Sequence, residues 1–266
     1  MSPKNANTAN KSYIMLILLS PAKLMRSVSV TPIEMTAPRF EETAERFAFE
    51  MSGKNIATLA HELKLAPKLA EEVHSVFQAF AQAPKTPAFI AYDGIVFKNL
   101  SPETLTEEER ARVIAQLRIC SFFYGLLKPS DAVRTYRMEG DVRLDATDGS
   151  TVFAYWREKL TDILIEEVKA QGGTLLFLAS EEMKQLFDWK RVQKMVRVVH
   201  PLFKVRKDGK VKQIVVYTKM MRGQMCRHAI VHKMMGTDAE MRAYADVVGA
   251  SELQVSKDGL TYTYIF

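Results

Sequence analysis

A segment near the carboxyl end, YTKMMRGQMCRHAIVHKMM (217–235), concentrates side chains that can bind a metal, an anion or a membrane surface. His228 and His232 have the i, i+4 spacing that places two imidazoles on one helical face, where they can bind a metal. The segment has no glutamate between them and no evident third ligand. Packing of both rings in an apolar face is therefore favoured, and neither a metal site nor a cofactor is predicted.

A helix over 218–235 would divide this segment into an apolar side and a basic side. The methionines fall on the apolar side, where core packing accounts for them. Lys219 and Arg222 fall on the basic side. Two small residues also lie there and would permit a close approach: Cys226 and Ala229. Arg227 falls on the apolar side, so it either pairs with a buried acid or lines a polar cleft.

Just upstream, FKVRKDGKVKQ (203–213) predicts a hairpin that turns at Asp208-Gly209. Its strands carry five cations: Lys204, Arg206, Lys207, Lys210 and Lys212. Such a hairpin is either a solvated sheet edge, whose lysines deter aggregation, or a ribbon that contacts phosphates. The sequence leaves both interpretations open.

The segment RICSFFYGLLKPSD (118–131) predicts the end of a long helix interrupted at Gly125 and followed by Lys128 and a proline. A glycine-containing turn between helices presents backbone N–H groups that can hold a phosphate. The simpler interpretation is a glycine cap that only ends the helix.

No catalytic signature is present: the chain contains no GxSxG, HExxH, P-loop or GxGxxG motif. Six polar residues in the middle of the chain could form an acid–base pocket if the fold brought them together: Asp93, Asp131, Tyr136, Arg137, Glu139 and Asp141. Whether the protein is an enzyme is left open, and a binding function is favoured.

Composition indicates a globular protein of 266 residues, 47% hydrophobic and 26% charged. Its two cysteines, far apart, give no disulfide framework. The net charge of +6 is unevenly distributed, because residues 183–235 contain fourteen Lys/Arg and only two acids. This segment therefore carries +12 and the rest of the chain −6, a field that attracts polyanions.

Apolar runs and periodicities place the elements that must position these side chains. Strands are predicted at IMLILL (14–19), FIAY (89–92), TLLFLA (174–179) and MVRVVH (195–200), with hairpins at 203–218 and 252–266. Helices are predicted within 41–80, from the N-cap Thr106, at 153–173 and at 218–235. Interleaved strands and helices predict a mixed α/β (α+β) fold: a central, mostly buried sheet with two β-hairpins and flanking helices.

Residues 1–13 are polar and predict a disordered N-terminal extension, or a stretch ahead of a start at Met15. The apolar run that follows is too short for a membrane span, which together with the cysteine usage favours a cytoplasmic protein. Residues 14–266 are predicted to form a single domain, because no linker-like stretch divides them.

Several stretches together resemble the YaaA family of peroxide stress resistance proteins. They are LILLSPAK (16–23), AYDGIVFKNL (91–100), LRICSFFYGLLKPSDAVRTYRME (117–139), YWREKLT (155–161), LFLASEE (176–182), PLFK (201–204) and KMMRGQMCRHAI (219–230). The likeness extends over nearly all of the chain from Met15 onward, in the same order.

The resemblance implies a cytoplasmic bacterial protein with a family-specific fold that protects against hydrogen peroxide by limiting free iron and Fenton damage. It also implies DNA binding through a helix-hairpin-helix-like element, matched by residues 121–129, and a positively charged cleft. Other motif positions match at Ser20, Pro21, Lys23, Lys219, Arg222, Gly223, Met225 and Arg227. Two positions depart from the family's usual glycine, Asn99 and Phe122, and Phe177 to Met183 departs from a more polar motif.

Two hypotheses follow for the cations. In the first, DNA binds without sequence preference in a cleft lined by Lys23, Arg137, Lys204, Arg222 and Arg227, with the turn near Gly125 touching phosphates. In the second, an enzyme acts on a nucleotide, nucleobase or other phosphorylated small molecule through Ser20, Lys23, Asp93, Tyr136, Arg137, Ser180, Arg222 and Arg227. A broad open groove would favour DNA, whereas convergence in one narrow pocket would favour the small molecule.

Overall fold

The computed structural model describes residues 15–28 and 33–266. Its strands are β1 (Leu16–Leu19), β2 (Thr86–Pro87), β3 (Leu117–Ser121), β4 (Gly125–Leu127), β5 (Ala132–Val133), β6 (Thr174–Phe177), β7 (Arg197–Lys207), β8 (Lys210–Lys212), β9 (Glu252–Val255) and β10 (Thr261–Ile265). Its α-helices are α1 (Glu41–Ser52), α2 (Ile56–Glu62), α3 (Pro67–Gln78), α4 (Ala88–Ala91), α5 (Ile95–Leu100), α6 (Glu107–Gln116), α7 (Val152–Ala170), α8 (Trp189–Met195), α9 (Val215–Val231) and α10 (Asp238–Val247).

The main sheet has the strand order β4-β3-β1-β6-β7-β10-β9, and β8 pairs with the outer part of β7. The five inner strands pair in parallel, whereas β4 and β9 close the two edges as antiparallel strands. Every residue of β1 is buried, as a continuous aliphatic run flanked by strands on both sides requires. The prediction of a mixed α/β fold around a central, mostly buried sheet is confirmed.

The connections that follow the two central strands, β1 and β6, run toward opposite edges of the sheet. The chain leaves β1 toward β3 on one side of the sheet, and it leaves β6 toward β7 on the other. Open α/β sheets bind ligands in the crevice that this reversal creates, outside the carboxyl ends of the two strands. The topology therefore directs attention to the residues that follow Leu19 and Phe177.

Local signals read from the sequence set several element boundaries correctly. Asn55 caps α2 by accepting the Thr58 N–H, and Thr106 forms a capping box with Glu109 at the start of α6. Both hairpins form, and Asp208 and Gly209 have the positive φ angles of 53° and 69° that a tight two-residue turn demands.

The predicted strand at 89–92 is wrong, because residues 88–91 form the single helical turn of α4. The Ala88 and Phe89 N–H groups donate to the Asp131 and Pro129 carbonyls, so this turn is fixed by the segment that follows β4. A four-residue apolar run does not distinguish a buried strand from a buried helical turn, and tertiary contacts decided between them.

The prediction of one helix running from Thr106 to the neighbourhood of Gly125 is also wrong. Helix α6 ends at Gln116, and residues 117–127 form the β-hairpin β3–β4. Ser121 shapes the turn, since its Oγ accepts the N–H groups of Phe123 and Tyr124. The segment matched to a helix-hairpin-helix-like element is therefore a pair of buried strands rather than two helices.

Two further boundaries differ from the prediction. The strands predicted at 195–200 and from Phe203 are one continuous strand, β7, in which Pro201 is accommodated. Helix α9 begins at Val215 and ends at Val231, whereas a strand was predicted through Thr218 and a helix through Met235. The Thr218 hydroxyl donates to the Phe203 carbonyl, which anchors the first turn of α9 on β7. The predicted extension at residues 1–13 lies outside the described residues.

None of the helices in residues 15–28 and 33–266 combines the length and apolar character that crossing a membrane requires.

Candidate functional site

Two serines lie in the crevice outside the carboxyl ends of β1 and β6. Ser20 follows the last residue of β1, and Ser180 comes three residues after β6 ends. The Ser20 Oγ accepts the Ser180 backbone N–H at 2.8 Å and donates to the Ser180 Oγ at 3.2 Å. This link ties the two strand ends together and places both hydroxyls in the wall of one cavity.

The cavity is a cleft of about 510 Å³, and we call it the switch-point cleft. Its apolar wall includes Phe97, Phe122, Met138, Leu178 and Met183. Its charged and polar lining residues are Ser20, Lys23, Asp93, Lys98, Tyr136, Arg137, Ser180, Glu182, Lys219 and Arg222. Eight residues singled out in the sequence thus converge: Ser20, Lys23, Asp93, Tyr136, Arg137, Ser180, Lys219 and Arg222.

Close backbone approaches at two glycines hold the walls in place. A side chain at Gly94 would have its Cβ 2.7 Å from the Cβ of Ala22, so the loop after β1 rests directly on the start of α5. A Cβ at Gly223 would lie 2.2 Å from the Val96 carbonyl oxygen, so α9 crosses α5 with almost no gap. Glycine is required at both contacts, and the Gly223 contact fixes α9, which carries Lys219 and Arg222, against α5.

Arg222 is the most unusual group in the cleft. Its residue is only 8% exposed, yet it makes no hydrogen bond or ion pair with any residue of 15–28 or 33–266. Burial lowers the pKa of its guanidinium, while the nearby Glu181 carboxylate acts in the opposite direction. A largely buried guanidinium without an ion pair is costly, and an anion bound in the cleft would lower that cost.

Three other cations of the cleft already have carboxylate partners. The Lys23 Nζ lies 2.7 Å from the Glu139 Oε1, and the Arg137 Nε lies 3.7 Å from the same oxygen. Lys98 and Asp93 approach to 3.9 Å. The Arg137 Nε is buried and has no hydrogen-bond acceptor among the described residues, so the contact with Glu139 is electrostatic only.

Tyr136 closes one side of the cleft with a chain of hydroxyl groups behind it. Its hydroxyl lies 2.7 Å from the Ser121 Oγ and 2.8 Å from the Tyr92 hydroxyl, and its ring stacks on Phe123. Burial raises the pKa of Tyr136 to about 12, more than these two hydrogen bonds lower it. Tyr136 therefore stays protonated at physiological pH.

Five predicted site residues do not line this cleft: Gly125, Lys128, Lys204, Arg206 and Arg227. Gly125 packs against the Trp156 ring, and Arg206 pairs with Glu252. Arg227 donates to the Leu100 and Ser101 carbonyls at 2.9 and 3.2 Å, so its partner is the carboxyl end of α5 rather than a buried acid.

Of the six residues considered for an acid–base pocket, Asp93, Tyr136 and Arg137 line the switch-point cleft. Glu139 does not line it but contacts two residues that do, Lys23 and Arg137. Asp131 accepts the Lys128 N–H and the Thr36 hydroxyl instead, while Asp141 pairs with Lys64. Both therefore have structural partners away from the cleft.

Met221, Met225 and Met234 are buried as predicted, whereas Met220 is half-buried and Met235 is exposed. The His228 and His232 rings contact each other at a tilt with centroids 4.2 Å apart, and His228 also contacts the Tyr244 ring. His232 is exposed, so the prediction that both rings pack in an apolar face is wrong for His232. In the described part of the chain, no three His, Cys, Asp or Glu residues come together as metal ligands would. Cys226 and Ala229 are buried, which corrects their placement on an open basic face.

Sequence reasoning missed two charged residues of the cleft, Lys98 and Glu182. Both lie within recognised stretches, AYDGIVFKNL and LFLASEE, but neither stretch signals which of its charges faces the cavity. It also interpreted Phe122 only as a departure from glycine. The Phe122 side chain in fact forms part of the apolar wall, and its carbonyl accepts the Trp156 Nε1–H at 2.8 Å.

Outside the cleft, the β7–β8 hairpin presents an exposed basic surface. Lys207, Lys210 and Lys212 are exposed and form no ion pair with the residues that the structure describes. Val211, between Lys210 and Lys212 in the chain, is also exposed, and the hairpin leads into α9 and so toward Lys219.

Known proteins similar to this chain place it clearly. The family described as "Peroxide stress protein YaaA" matches residues 15–247. A UPF0246 protein of Bacteroides thetaiotaomicron is 46% identical over 234 residues, which cover 87% of this chain and 91% of the relative. A UPF0246 protein of Porphyromonas gingivalis is 48% identical over 224 residues, 82% of this chain and 88% of the relative. A more distant one from Shewanella woodyi is 32% identical over 226 residues, covering 83% and 88%. The chain therefore belongs to the YaaA family of peroxide stress proteins.

Proposed function

We propose that this protein serves the peroxide stress response in the cytoplasm by binding a phosphorylated small molecule, such as a nucleotide, in the switch-point cleft. The observation that carries the proposal is Arg222, a buried guanidinium that faces the cavity without a partner among the described residues. An anion held there would remove the cost of burying this charge. Arginine also recognises phosphate through its planar set of donors.

The shape and lining of the cleft support a small ligand. Its volume of about 510 Å³ lies within the usual range of small-molecule sites, roughly 300–1,000 Å³. Apolar side chains face one part of the cavity, and a few polar groups converge on the other, as such sites generally show. The Ser180 hydroxyl already accepts from Ser20 and is left with a proton to donate to the ligand.

An enzymatic reaction on the same ligand is part of this proposal. The cleft contains a hydroxyl pair, Ser20 and Ser180, and the carboxyl group of Glu182. The pKa of Glu182 is raised, first by partial desolvation and then by the Glu139 carboxylate, as suits a group that exchanges protons. Product analysis after incubation with each bound nucleotide tests for turnover.

A second candidate function is DNA binding, and the observation that favours it is the exposed β7–β8 hairpin. Its three unpaired lysines, Lys207, Lys210 and Lys212, form a basic ribbon on a projecting element. Such a ribbon suits sequence-independent contacts with phosphates. Limitation of free iron, which the resemblance to the family implies, would then be a consequence in the cell of either binding activity.

Titration calorimetry of the purified protein separates these functions. The ligands are inorganic phosphate, deoxyadenosine monophosphate and a short blunt DNA duplex, each at low and moderate salt. The proposal expects saturable one-to-one binding of the monophosphate that persists when the duplex is already bound. Absence of binding by both phosphate and monophosphate would overturn it, and duplex binding alone would leave the hairpin as the functional surface.

A further inference from the structure

We propose that the switch-point cleft selects one terminal phosphomonoester and discriminates against polyphosphates and internal phosphodiesters. This inference rests on the proposed function, because it names the chemical class of the ligand that the same cleft binds. It follows from which charges of the cleft are already neutralised and which are not.

Three of the five cations that line the cleft already have a carboxylate neighbour. Glu139 holds Lys23 at 2.7 Å and lies 3.7 Å from Arg137, and Asp93 lies 3.9 Å from Lys98. A ligand that drew on these cations would have to compete with their carboxylate neighbours. Their contribution to attracting a highly charged anion is therefore small.

Two cations are uncommitted. Arg222 and Lys219 lie one helical turn apart on α9, and in residues 15–28 and 33–266 neither forms an ion pair or a hydrogen bond, although the Glu181 carboxylate lies near Arg222. Together they supply two positive charges. A phosphomonoester carries about −1.5 to −2 at neutral pH, so one such group balances the pair.

A negative charge in the same cleft opposes any larger anion. Glu182 lines the cavity and makes no ion pair or hydrogen bond within the described chain. Each phosphate added beyond the first would bring its charge toward Glu182 and Asp93 without meeting a free cation. Like charges brought together in a partly enclosed site are strongly unfavourable, which makes Glu182 a specificity determinant.

The hydrogen-bond donors of the cleft agree with a terminal group. Arg222 offers a fork of N–H donors, Lys219 offers an ammonium group, and the Ser180 hydroxyl adds a further donor. A phosphomonoester has three terminal oxygens to accept from them, whereas an internal phosphodiester has two and carries a single charge. The nucleic-acid strand also continues on both sides of an internal phosphodiester, and an enclosed cleft has less room for two continuing strands than for one terminal group.

A terminal phosphomonoester can come from two sources, a free nucleoside monophosphate or the phosphorylated end of a DNA strand. Both present the same dianion to Arg222 and Lys219.

The test is a comparison of affinities by calorimetry with the intact protein. The ligands are deoxyadenosine mono-, di- and triphosphate, and one single-stranded oligonucleotide carrying either a 5′-phosphate or a 5′-hydroxyl. The proposal expects the monophosphate to bind about tenfold more tightly than the triphosphate. If strand ends are the source, the 5′-phosphate strengthens oligonucleotide binding by a similar factor.

Glu182→Gln is expected to strengthen binding of the triphosphate. A variant that failed to fold would weaken binding, so the two results cannot be confused. Glu182→Gln is expected to raise triphosphate affinity about tenfold while changing monophosphate affinity much less. Glu166→Gln, which removes an exposed carboxylate of α7, is the matched control and should change neither.

The outcomes are distinguishable. Affinity that increases from mono- to triphosphate in the wild type, with no effect of Glu182→Gln, would overturn this inference and leave the proposed function standing. Failure of every phosphate compound to bind would remove the proposed function and the inference with it.

Discussion

Gly223 and Val96 bring α9 and α5 into direct backbone contact: a Cβ added at Gly223 would lie 2.2 Å from the Val96 carbonyl oxygen and 2.8 Å from the Cβ of Asn99. Neither neighbour is the free end of a flexible side chain, so the two helices would have to separate. The contact matters for function because Arg222 is the adjacent residue on α9 and α5 forms the facing wall of the cleft.

Gly223→Ala is therefore expected to lower the free energy of unfolding by about 1–3 kcal/mol, although alanine favours helices. It should also weaken phosphate binding, because Arg222 moves with α9. Gly53→Ala is the control, since its Cβ would lie 3.5 Å from the Glu50 carbonyl oxygen, an ordinary contact. Urea unfolding measures both variants, and equal stability of the two would contradict the account of this crossing.

Binding of sulfate should strengthen as the pH falls from 7 toward 5. Sulfate keeps its charge in this range, so the change reports the protein. The pKa of Glu182 is raised by partial desolvation and by Glu139, so this carboxyl is expected to take up a proton first and to stop repelling the anion. The other charges of the cleft, at Lys23, Asp93, Lys98, Arg137, Lys219 and Arg222, are common to the wild type and Glu182→Gln.

Calorimetry of the wild type and Glu182→Gln at pH 7, 6 and 5 measures this effect. The variant should bind sulfate more tightly at pH 7 and show a flatter pH profile. A profile as steep in Glu182→Gln as in the wild type would assign the dependence to another group.

The sequence predicts those parts of the site that a local segment positions, and it does not predict those that the strand order of the sheet positions. β1 was predicted from a short apolar run closed by Ser20-Pro21, and the prediction is confirmed, although such a run alone does not distinguish a buried strand from a helical turn. The pairing of Ser20 with Ser180 did not follow, because 160 residues separate them and the strand order β3-β1-β6 brings them together. Residue types marked the candidates, and only the topology could select those that meet.

The errors have a similar origin. Residues 117–121 continue the pattern of α6, yet they form β3 because they pair with β1 and β4 in the middle of the core. Arg227 looked like a site residue because an arginine on the apolar side of a helix needs a polar partner, whereas Arg222 was placed on the basic side. Their difference lies in the partners, since the carbonyls at the end of α5 satisfy Arg227 and nothing in the described residues satisfies Arg222.

Reversal of charge on the hairpin tests the DNA-binding candidate separately from the cleft. The triple variant Lys207→Glu, Lys210→Glu, Lys212→Glu should lose most of its affinity for the duplex. The slope of log affinity against log salt concentration should also become shallower, by the contribution of about three phosphate contacts. Its affinity for deoxyadenosine monophosphate should stay close to that of the wild type.

A matched triple variant controls for net charge: Lys68→Glu, Lys169→Glu, Lys257→Glu, three exposed lysines on other elements. Gel-shift titration at several salt concentrations measures both. Equal loss in the two triple variants would show that overall charge, rather than the hairpin, governs the binding of DNA.

His200 should make the protein less stable in mild acid. Burial, together with the nearby Lys184 and Arg222 charges, lowers the pKa of His200 from 6.5 to about 4, although Glu181 acts against this. Between these values the unfolded chain binds a proton that the folded protein does not, so stability falls as the pH falls below about 6.5. The loss amounts to about 2 kcal/mol at pH 5.

His200→Gln removes this contribution and should reduce the stability difference between pH 7 and pH 5, measured by urea unfolding. His61→Gln, at an exposed position of α2, should leave the difference unchanged. An identical pH dependence in the wild type and His200→Gln would contradict the assignment.

The central claim is that Arg222 holds an anion in the switch-point cleft, and calorimetry with deoxyadenosine monophosphate on Arg222→Ala tests it most directly. Lys128→Ala, an exposed position outside the cleft, is the control. The account predicts an affinity loss of about ten- to a hundredfold in Arg222→Ala alone. It predicts no loss of stability, because the substitution removes a buried charge without a partner in the described structure. Wild-type affinity in a folded Arg222→Ala protein would contradict the claim.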